Sequence, residues 1–281
     1  MSWPRSQRRQ SRTGSRSLRK KVRGISGVLI KKNAIAASLL IALLGATSAL
    51  AGSRRFTYVY EVTTSPPGDV EIENWVTWKT HKPDDRGFDQ VDFRHELEFG
   101  ITEKLQMAVY VAEWNYHRGM SAGERGFTLQ GSAIELIYNF TNPVADAIGL
   151  SVYQEFKTGY RLFESESKLL AQKNFGPFVV AYNAVLEAEW EGEALEEREG
   201  EFQQSLGLSY EFNPHLLVGV EAVHEIAFPD RSKTEDSNVF VGPNLSVRSG
   251  KWWATVTALA QLTRSGDEPD LQVRTVFGFS F

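Results

Sequence analysis

Cysteine is absent from the 281 residues of this chain, which rules out disulfides and thiolate metal sites. Acidic residues are absent from the first 51 positions. Beyond Ala51 no apolar run approaches the roughly 20 residues that a membrane-spanning helix needs. Histidine is scarce, with five in all, and charge is unevenly spread along the chain. All 35 acidic residues follow Ala51, whereas 11 of the 31 basic ones precede it, so the chain from Gly52 onward carries a net charge of −15 with histidines neutral. A surface of that sign repels phosphate, and no nucleic-acid partner is expected.

The N-terminus carries an export pattern. Lys31-Lys32-Asn33 precedes an apolar stretch from Ala34 to Ala46, and Thr47-Ser48-Ala49-Leu50-Ala51 supplies an Ala-x-Ala end. A basic region, a short apolar region and small residues at the boundary predict a secretory signal cleaved after Ala51. Upstream lies an extension rich in Arg and Ser, whose Arg8-Arg9 pair is too far from the apolar stretch for a twin-arginine signal. A true start of translation near Val28 or Leu29 would account for it. Residues 1–51 are therefore expected to be a basic extension plus a removable signal.

The remainder reads in steps of two. From Asp89, Val91, Phe93, Leu97 and Phe99 alternate with Gln90, Asp92, Arg94, Glu96 and Glu98. Phe178, Val180, Tyr182, Ala184, Leu186, Ala188 and Trp190 alternate with residues that include Asn183, Glu187 and Glu189. Leu216, Val218, Val220, Ala222, Ile226 and Phe228 oppose Glu221 and Glu225, and Phe202, Leu206, Leu208, Tyr210 and Phe212 oppose Gln203, Ser205, Ser209 and Glu211. Twelve such segments of about 10 residues can be drawn. Short separators rich in turn residues, such as Asn174-Phe175-Gly176-Pro177 and Asn213-Pro214, alternate with longer polar ones, including His81 to Gly87, Gly159 to Phe163 and Glu191 to Gly200. A membrane protein without apolar helices must span with strands. The fold class predicted is all-β, an antiparallel up-and-down transmembrane barrel of about 12 strands over residues 70–281. Residues 52–69 are expected to be a periplasmic lead-in. The strands that begin at Val70, Arg161 and Asn238 are weaker, so the count carries a margin of two. Tyr138, Phe140, Trp190, Phe212, Phe228 and either Trp252 or Trp253 fall where interfacial aromatic girdles would lie.

The last eleven residues place Phe281, Phe279, Phe277, Thr275, Val273 and Leu271 on one face and Ser280, Gly278, Val276, Arg274 and Gln272 on the other. An aromatic strand of spanning length that ends the chain would leave a sticky open edge in a soluble sandwich, but closes a barrel by pairing with the first strand. In these residues the sequence resembles bacterial outer-membrane β-barrels, whose C-terminal strand ends in Phe with aromatics at alternate positions. The resemblance implies a Gram-negative outer-membrane location, lipid contact, periplasmic chaperones, and a barrel-assembly machinery that reads Phe277, Phe279 and Phe281 as its signal. Oligomeric state is open.

The functional clue is the inward face. Asp92, Glu96, Glu98, Glu135, Glu155, Glu187, Glu189, Glu211, Glu221 and Glu225 are predicted to line the lumen, with Arg94, Lys157 and Arg274 as the basic residues among them. Carboxylates confined in a narrow passage favour cations and repel anions. The expected function is a channel for small solutes with cation preference. The alternatives are a scaffold barrel with a closed lumen, in which these acids pair with the bases, and a lipid-modifying enzyme. His95 and His224 fall on the lipid face, as a histidine does in the outer-membrane phospholipases that such a barrel resembles. The His-x-Ser arrangement of that family is missing, since Glu96-Leu97 and Glu225-Ile226 follow the two histidines. No catalytic residue, metal site or cofactor is predicted. The acidic stretch Glu191 to Glu201 is expected as an external loop.

Overall fold

A computed structural model describes residues 53–119, 125–229 and 237–281. The basic extension and the signal peptide lie outside these residues. Twelve strands follow in order: β1 (Val70–Thr80), β2 (Asp89–Thr102), β3 (Leu105–Arg118), β4 (Arg125–Thr141), β5 (Gly149–Gly159), β6 (Leu162–Phe175), β7 (Phe178–Glu191), β8 (Glu197–Asn213), β9 (Leu216–Phe228), β10 (Ser237–Ser249), β11 (Trp252–Gln261) and β12 (Leu271–Ser280). Each pairs antiparallel with its neighbours in sequence, and β1 pairs with β12 from Glu71↔Ser280 to Thr80↔Leu271, which closes the barrel. Closure satisfies the ladder on both sides of every strand, the condition for spanning hydrocarbon with sheet. Among the described residues no helix is long and apolar enough to cross a membrane.

Alternation sets the two faces. Outward positions hold exposed apolar groups such as Phe127, Leu129, Leu169, Leu186 and Phe212, while inward positions hold buried Glu73, Glu96, Glu135, Asn183, Glu221 and Thr257. This is the reverse of a soluble protein, as a lipid solvent requires. On β12, Phe277 and Phe279 face out with Phe281 just beyond, whereas Val276 and Gly278 are buried. Trp252 faces out at the interface, whereas Trp253 turns in and donates its indole N–H to Glu71 at 2.7 Å.

Two features of the wall depart from the sequence reading. The connection expected as a longer loop at Gly159 to Phe163 is a turn of two residues, Tyr160 and Arg161, with Arg161 at a φ of 58°. The acidic stretch is mostly strand: β7 runs to Glu191 and β8 starts at Glu197. One irregularity re-aims a side chain. The β3–β4 register shifts between Tyr110 and Glu113, so both residues point inward although they are three apart. Opposite them, Gly131 takes a φ of 154°, and a Cβ there would meet the Thr158 carbonyl oxygen at 2.3 Å.

Candidate functional site: a lumen threaded by the N-terminal segment

The segment before β1 is not a lead-in outside the barrel. Ser53 to Pro66 runs inside it, and Phe56, Val59, Tyr60 and Val62 are buried. An extended chain without a ladder partner must satisfy its N–H and C=O groups elsewhere, and the wall supplies side chains for that purpose. Ser246 and Thr255 donate to the Arg54 carbonyl at 3.0 and 2.6 Å. Asn183 clamps Tyr60 at two points, accepting its N–H at 2.7 Å and donating to its carbonyl at 3.0 Å. Gln172 accepts the Val62 N–H at 3.0 Å, while Asn139 and Ser151 donate to its carbonyl at 2.6 and 2.7 Å. Gln106 accepts the Ser65 N–H at 2.8 Å.

The clasp at the apex is Glu221 of β9. Its carboxylate accepts three successive backbone N–H groups, from Thr57 at 3.0 Å, Tyr58 at 2.7 Å and Val59 at 3.0 Å. Asn244 at 3.1 Å and Thr257 at 2.5 Å donate to it as well. A buried carboxylate is tolerable when its lone pairs are this fully used. Wall glycines make room: a Cβ at Gly207 would stand 2.6 Å from the Phe56 ring, and one at Gly100 would stand 1.9 Å from the Pro66 carbonyl oxygen. Two cations lock the ends of the apex. Arg54 binds Glu73 at 2.9 Å and lies 4.6 Å from the Tyr60 ring, while Arg274 stacks 3.9 Å from the Tyr58 ring and donates to Thr77 at 2.9 Å. Burial alone would lower the Arg54 pKa, but the fields of Glu73, Tyr60, Glu96 and Glu98 outweigh it and hold the guanidinium well above its ordinary value. Burial raises the Tyr58 and Tyr60 phenols to about 12, against the opposing fields of Arg274 and Lys168 respectively.

Every residue predicted from sequence to line the lumen lies on an inward position. They do not form one ring. Glu96, Glu98, Glu135, Glu211 and Glu221 lie with the threaded segment, where Glu98 accepts from Ser65, Glu135 from Tyr110, and Glu211 binds Arg55 at 2.9 Å. Towards the other end, Asp92 binds Lys79 at 3.0 Å, and Arg94, Glu113, Lys157 and Glu164 form a chain of ion pairs. Glu155 accepts from Tyr153, and Glu187 and Glu189 converge with Glu164. Glu225 sits on the inward face of β9 one alternation beyond Val223.

Other members were not read from the sequence. Lys79, Lys168, Arg248 and the segment's Arg54 and Arg55 add cations to the three predicted, and Glu71, Glu73, Glu113, Glu164, Glu166 and Glu201 add acids. Glu113 is hidden from any period-two count by the bulge that precedes it. The β6 residues are hidden because their outward partners include Ser165 and Ser167, which blur the alternation. The threaded segment did carry a signal: Phe56, Tyr58, Tyr60 and Val62 alternate like a strand, too aromatic for a solvated linker. On the outer wall, His95 shares its Nδ1 with Asn74 at 2.8 Å and accepts at Nε2 from the Trp114 indole at 3.2 Å. His224 lies outward opposite Gln204 and Val239.

Two cavities flank the apex. One of about 370 Å³ lies among Arg54, Arg55, Glu61, Ser65, Glu98, Gln106 and Arg248 at the end where β1 begins. The other, about 260 Å³, lies among Trp75, Lys79, Asp92, Arg94, Glu113 and Arg274 towards the opposite end.

Closed wall, apolar exterior and charged interior define the class: this is an antiparallel β-barrel of the transmembrane kind. The chain belongs to a family of unknown function, DUF6662, whose model matches residues 48–276 and so spans the threaded segment as well as the wall. No curated protein matches this sequence. Among solved structures, the COG4313 outer membrane channel from Pseudomonas putida F1 is similar over 80% of this chain and 100% of that chain, with a TM-score of 0.60 and 12% identity. The translocator domain of the autotransporter NalP from Neisseria meningitidis is similar over 75% of this chain and 87% of that chain, with a TM-score of 0.51 and 12% identity. At these identities the likeness is one of fold.

Proposed function

We propose that this protein is an outer-membrane channel for small solutes whose conducting path is closed by its own N-terminal segment and opens when that segment leaves the lumen. The observation that carries the reading is the mode of attachment. The segment is held by hydrogen bonds from wall side chains and by two arginines, with no ladder to either neighbouring strand. Groups of that kind are re-solvated on release, so undocking leaves the barrel itself intact. Once open, the path is lined by carboxylates that outnumber the wall's bases, which favours cations. Its similarity in fold to an outer-membrane channel agrees with this reading.

A closed scaffold is the second reading, and the five donors on Glu221 favour it. Single-channel conductance of the refolded chain from Gly52, beside a variant lacking residues 53–65, separates the two. Rare openings in the first and frequent, cation-selective openings in the second are expected. A properly folded deletion variant that stays silent would establish the scaffold. In the open form, Glu187→Gln with Glu225→Gln should lower cation preference without changing how often the channel opens. Glu221 is unsuited to that test because the segment occupies it. A hydrolase is disfavoured by the surroundings of His95, whose ring partners are an amide and an indole.

A further inference from the structure

Five carboxylates converge at the end of the lumen where β1 begins. Glu71 and Glu73 of β1 stand directly across from Glu98 and Glu96 of β2, so two like-charged pairs face each other across one ladder. Such cross-strand pairs repel. Glu135 of β4 exerts its field on both Glu73 and Glu96. All five are almost wholly buried. Wall and segment donors reach some of them: Trp253 and Ser280 donate to Glu71, Trp75 to Glu73 at 3.1 Å, Ser65 to Glu98 and Tyr110 to Glu135. Glu96 has none. Both of its oxygens are buried without a hydrogen-bond partner, and so is Glu135 Oε1.

The cation supply is short. Arg54 binds Glu73 at 2.9 Å but comes only within 3.9 Å of Glu96 and of Glu98. Of the wall cations, Arg94 pairs with Glu113, and Lys168 with Glu166 at 2.8 Å. A desolvated carboxylate left without a partner costs several kcal/mol. One guanidinium, carried on a segment that is not part of the wall, cannot neutralise this group.

We propose that Glu73, Glu96 and Glu98, with Glu135 behind them, form a binding site for a divalent cation, and that calcium is the ion whose chemistry fits. The donors are all carboxylate oxygens, the ligands of a hard cation. One oxygen from each of Glu73, Glu96 and Glu98 lies within 4.8 Å of the others. Calcium takes oxygen ligands in a flexible geometry, whereas magnesium demands a near-ideal octahedron and gives up its waters reluctantly, which suits a dry group of wall-fixed carboxylates less. Arg54 stands in the same place as a tethered competitor. The ion therefore binds more tightly when the segment is out, and binding favours release of the segment by the same factor. Binding itself does not require that the barrel conduct.

Equilibrium dialysis of calcium against the refolded chain from Gly52, in detergent micelles, tests the site, with magnesium run in parallel. One calcium per barrel is expected, bound at least tenfold more weakly in Glu96→Gln and more tightly in Arg54→Ala. Loose binding to the external carboxylates would survive Glu96→Gln and is subtracted by it. Should that variant fail the heat-shift test for folded barrels, Glu98→Gln takes its place. No stoichiometric calcium in either wild type or Arg54→Ala overturns the proposal and leaves protons as the neutralising ions. Affinity that Arg54→Ala does not raise removes the competition. Because dialysis reads binding alone, a silent channel with bound calcium would refute the channel and keep the site.

Discussion

Replacing Glu221 by Gln tests the clasp with little change of shape. The carboxylate receives three backbone N–H groups from Thr57, Tyr58 and Val59, and two side-chain donors from Asn244 and Thr257. A hydrogen bond to a charged acceptor is worth about 1.5–3 kcal/mol net, against about 0.5–1.5 kcal/mol for a neutral one. Loss of the charge therefore weakens each of the three backbone bonds by about 1 kcal/mol. The new amide must also turn its NH₂ towards one oxygen position, where the Thr57 N–H and the Asn244 amide already donate. Thr257 can rotate its hydroxyl to accept, but an N–H cannot, so at least one buried donor loses its partner at about 1–3 kcal/mol. With the segment out, both Glu and Gln are hydrated and differ little. The docked state should lose about 3–5 kcal/mol, roughly a hundredfold or more in population.

Arg54 and Arg55 make the segment readable by trypsin, with mass spectrometry reporting cleavage after those two residues specifically. The variant in micelles should be cut there at least tenfold faster than wild type, while its barrel keeps the heat-shifted mobility of a folded wall. Cleavage as slow as wild type would refute the account of Glu221 as the clasp. Fast cleavage with unchanged conductance would mean that the segment is docked by Glu221 but is not the barrier to flow.

Two other predictions follow from the same geometry. Gly207→Val places a branched side chain where a Cβ already stands 2.6 Å from the Phe56 ring, so Phe56 must leave its niche. Tryptic cleavage of the segment should rise with the barrel still folded, and an unchanged rate would mean that the ring repacks in place. Tyr58 and Tyr60 hold pKa values of about 12 in the folded state, against about 10 for an unperturbed phenol. Folding thus retains their protons, so their support for docking is complete below pH 10 and is lost as pH rises towards 12. Because the chain has no cysteine, a fluorophore on Ser53→Cys is unique, and it should report release of the segment within that window. A double variant with Phe at both positions should lose the pH dependence, and retention of it would assign the transition to other groups.

Much of the architecture was legible because strand alternation is a local property. Val91, Phe93, Leu97 and Phe99 face lipid and their neighbours face the lumen, whatever the rest of the chain does. The same arithmetic placed Glu187, Glu221, Glu225 and Arg274 inward, and the closing face of β12 could be read from three phenylalanines. It stopped where alternation breaks. A bulge shifts Glu113 onto the lumen face, and serines outside β6 mask Glu164, Glu166 and Lys168.

Composition and a repeat of two residues were enough to give the barrel and the sign of its lumen. What occupies that lumen emerges only once the barrel has closed. Arg54, Tyr60 and Val62 meet partners that lie from 19 to more than 200 residues away, across strands that become neighbours only when the barrel closes. Whether Glu221 lines a free passage or holds three backbone N–H groups cannot be read from its own strand. It depends on where another part of the chain, more than 160 residues earlier, is threaded.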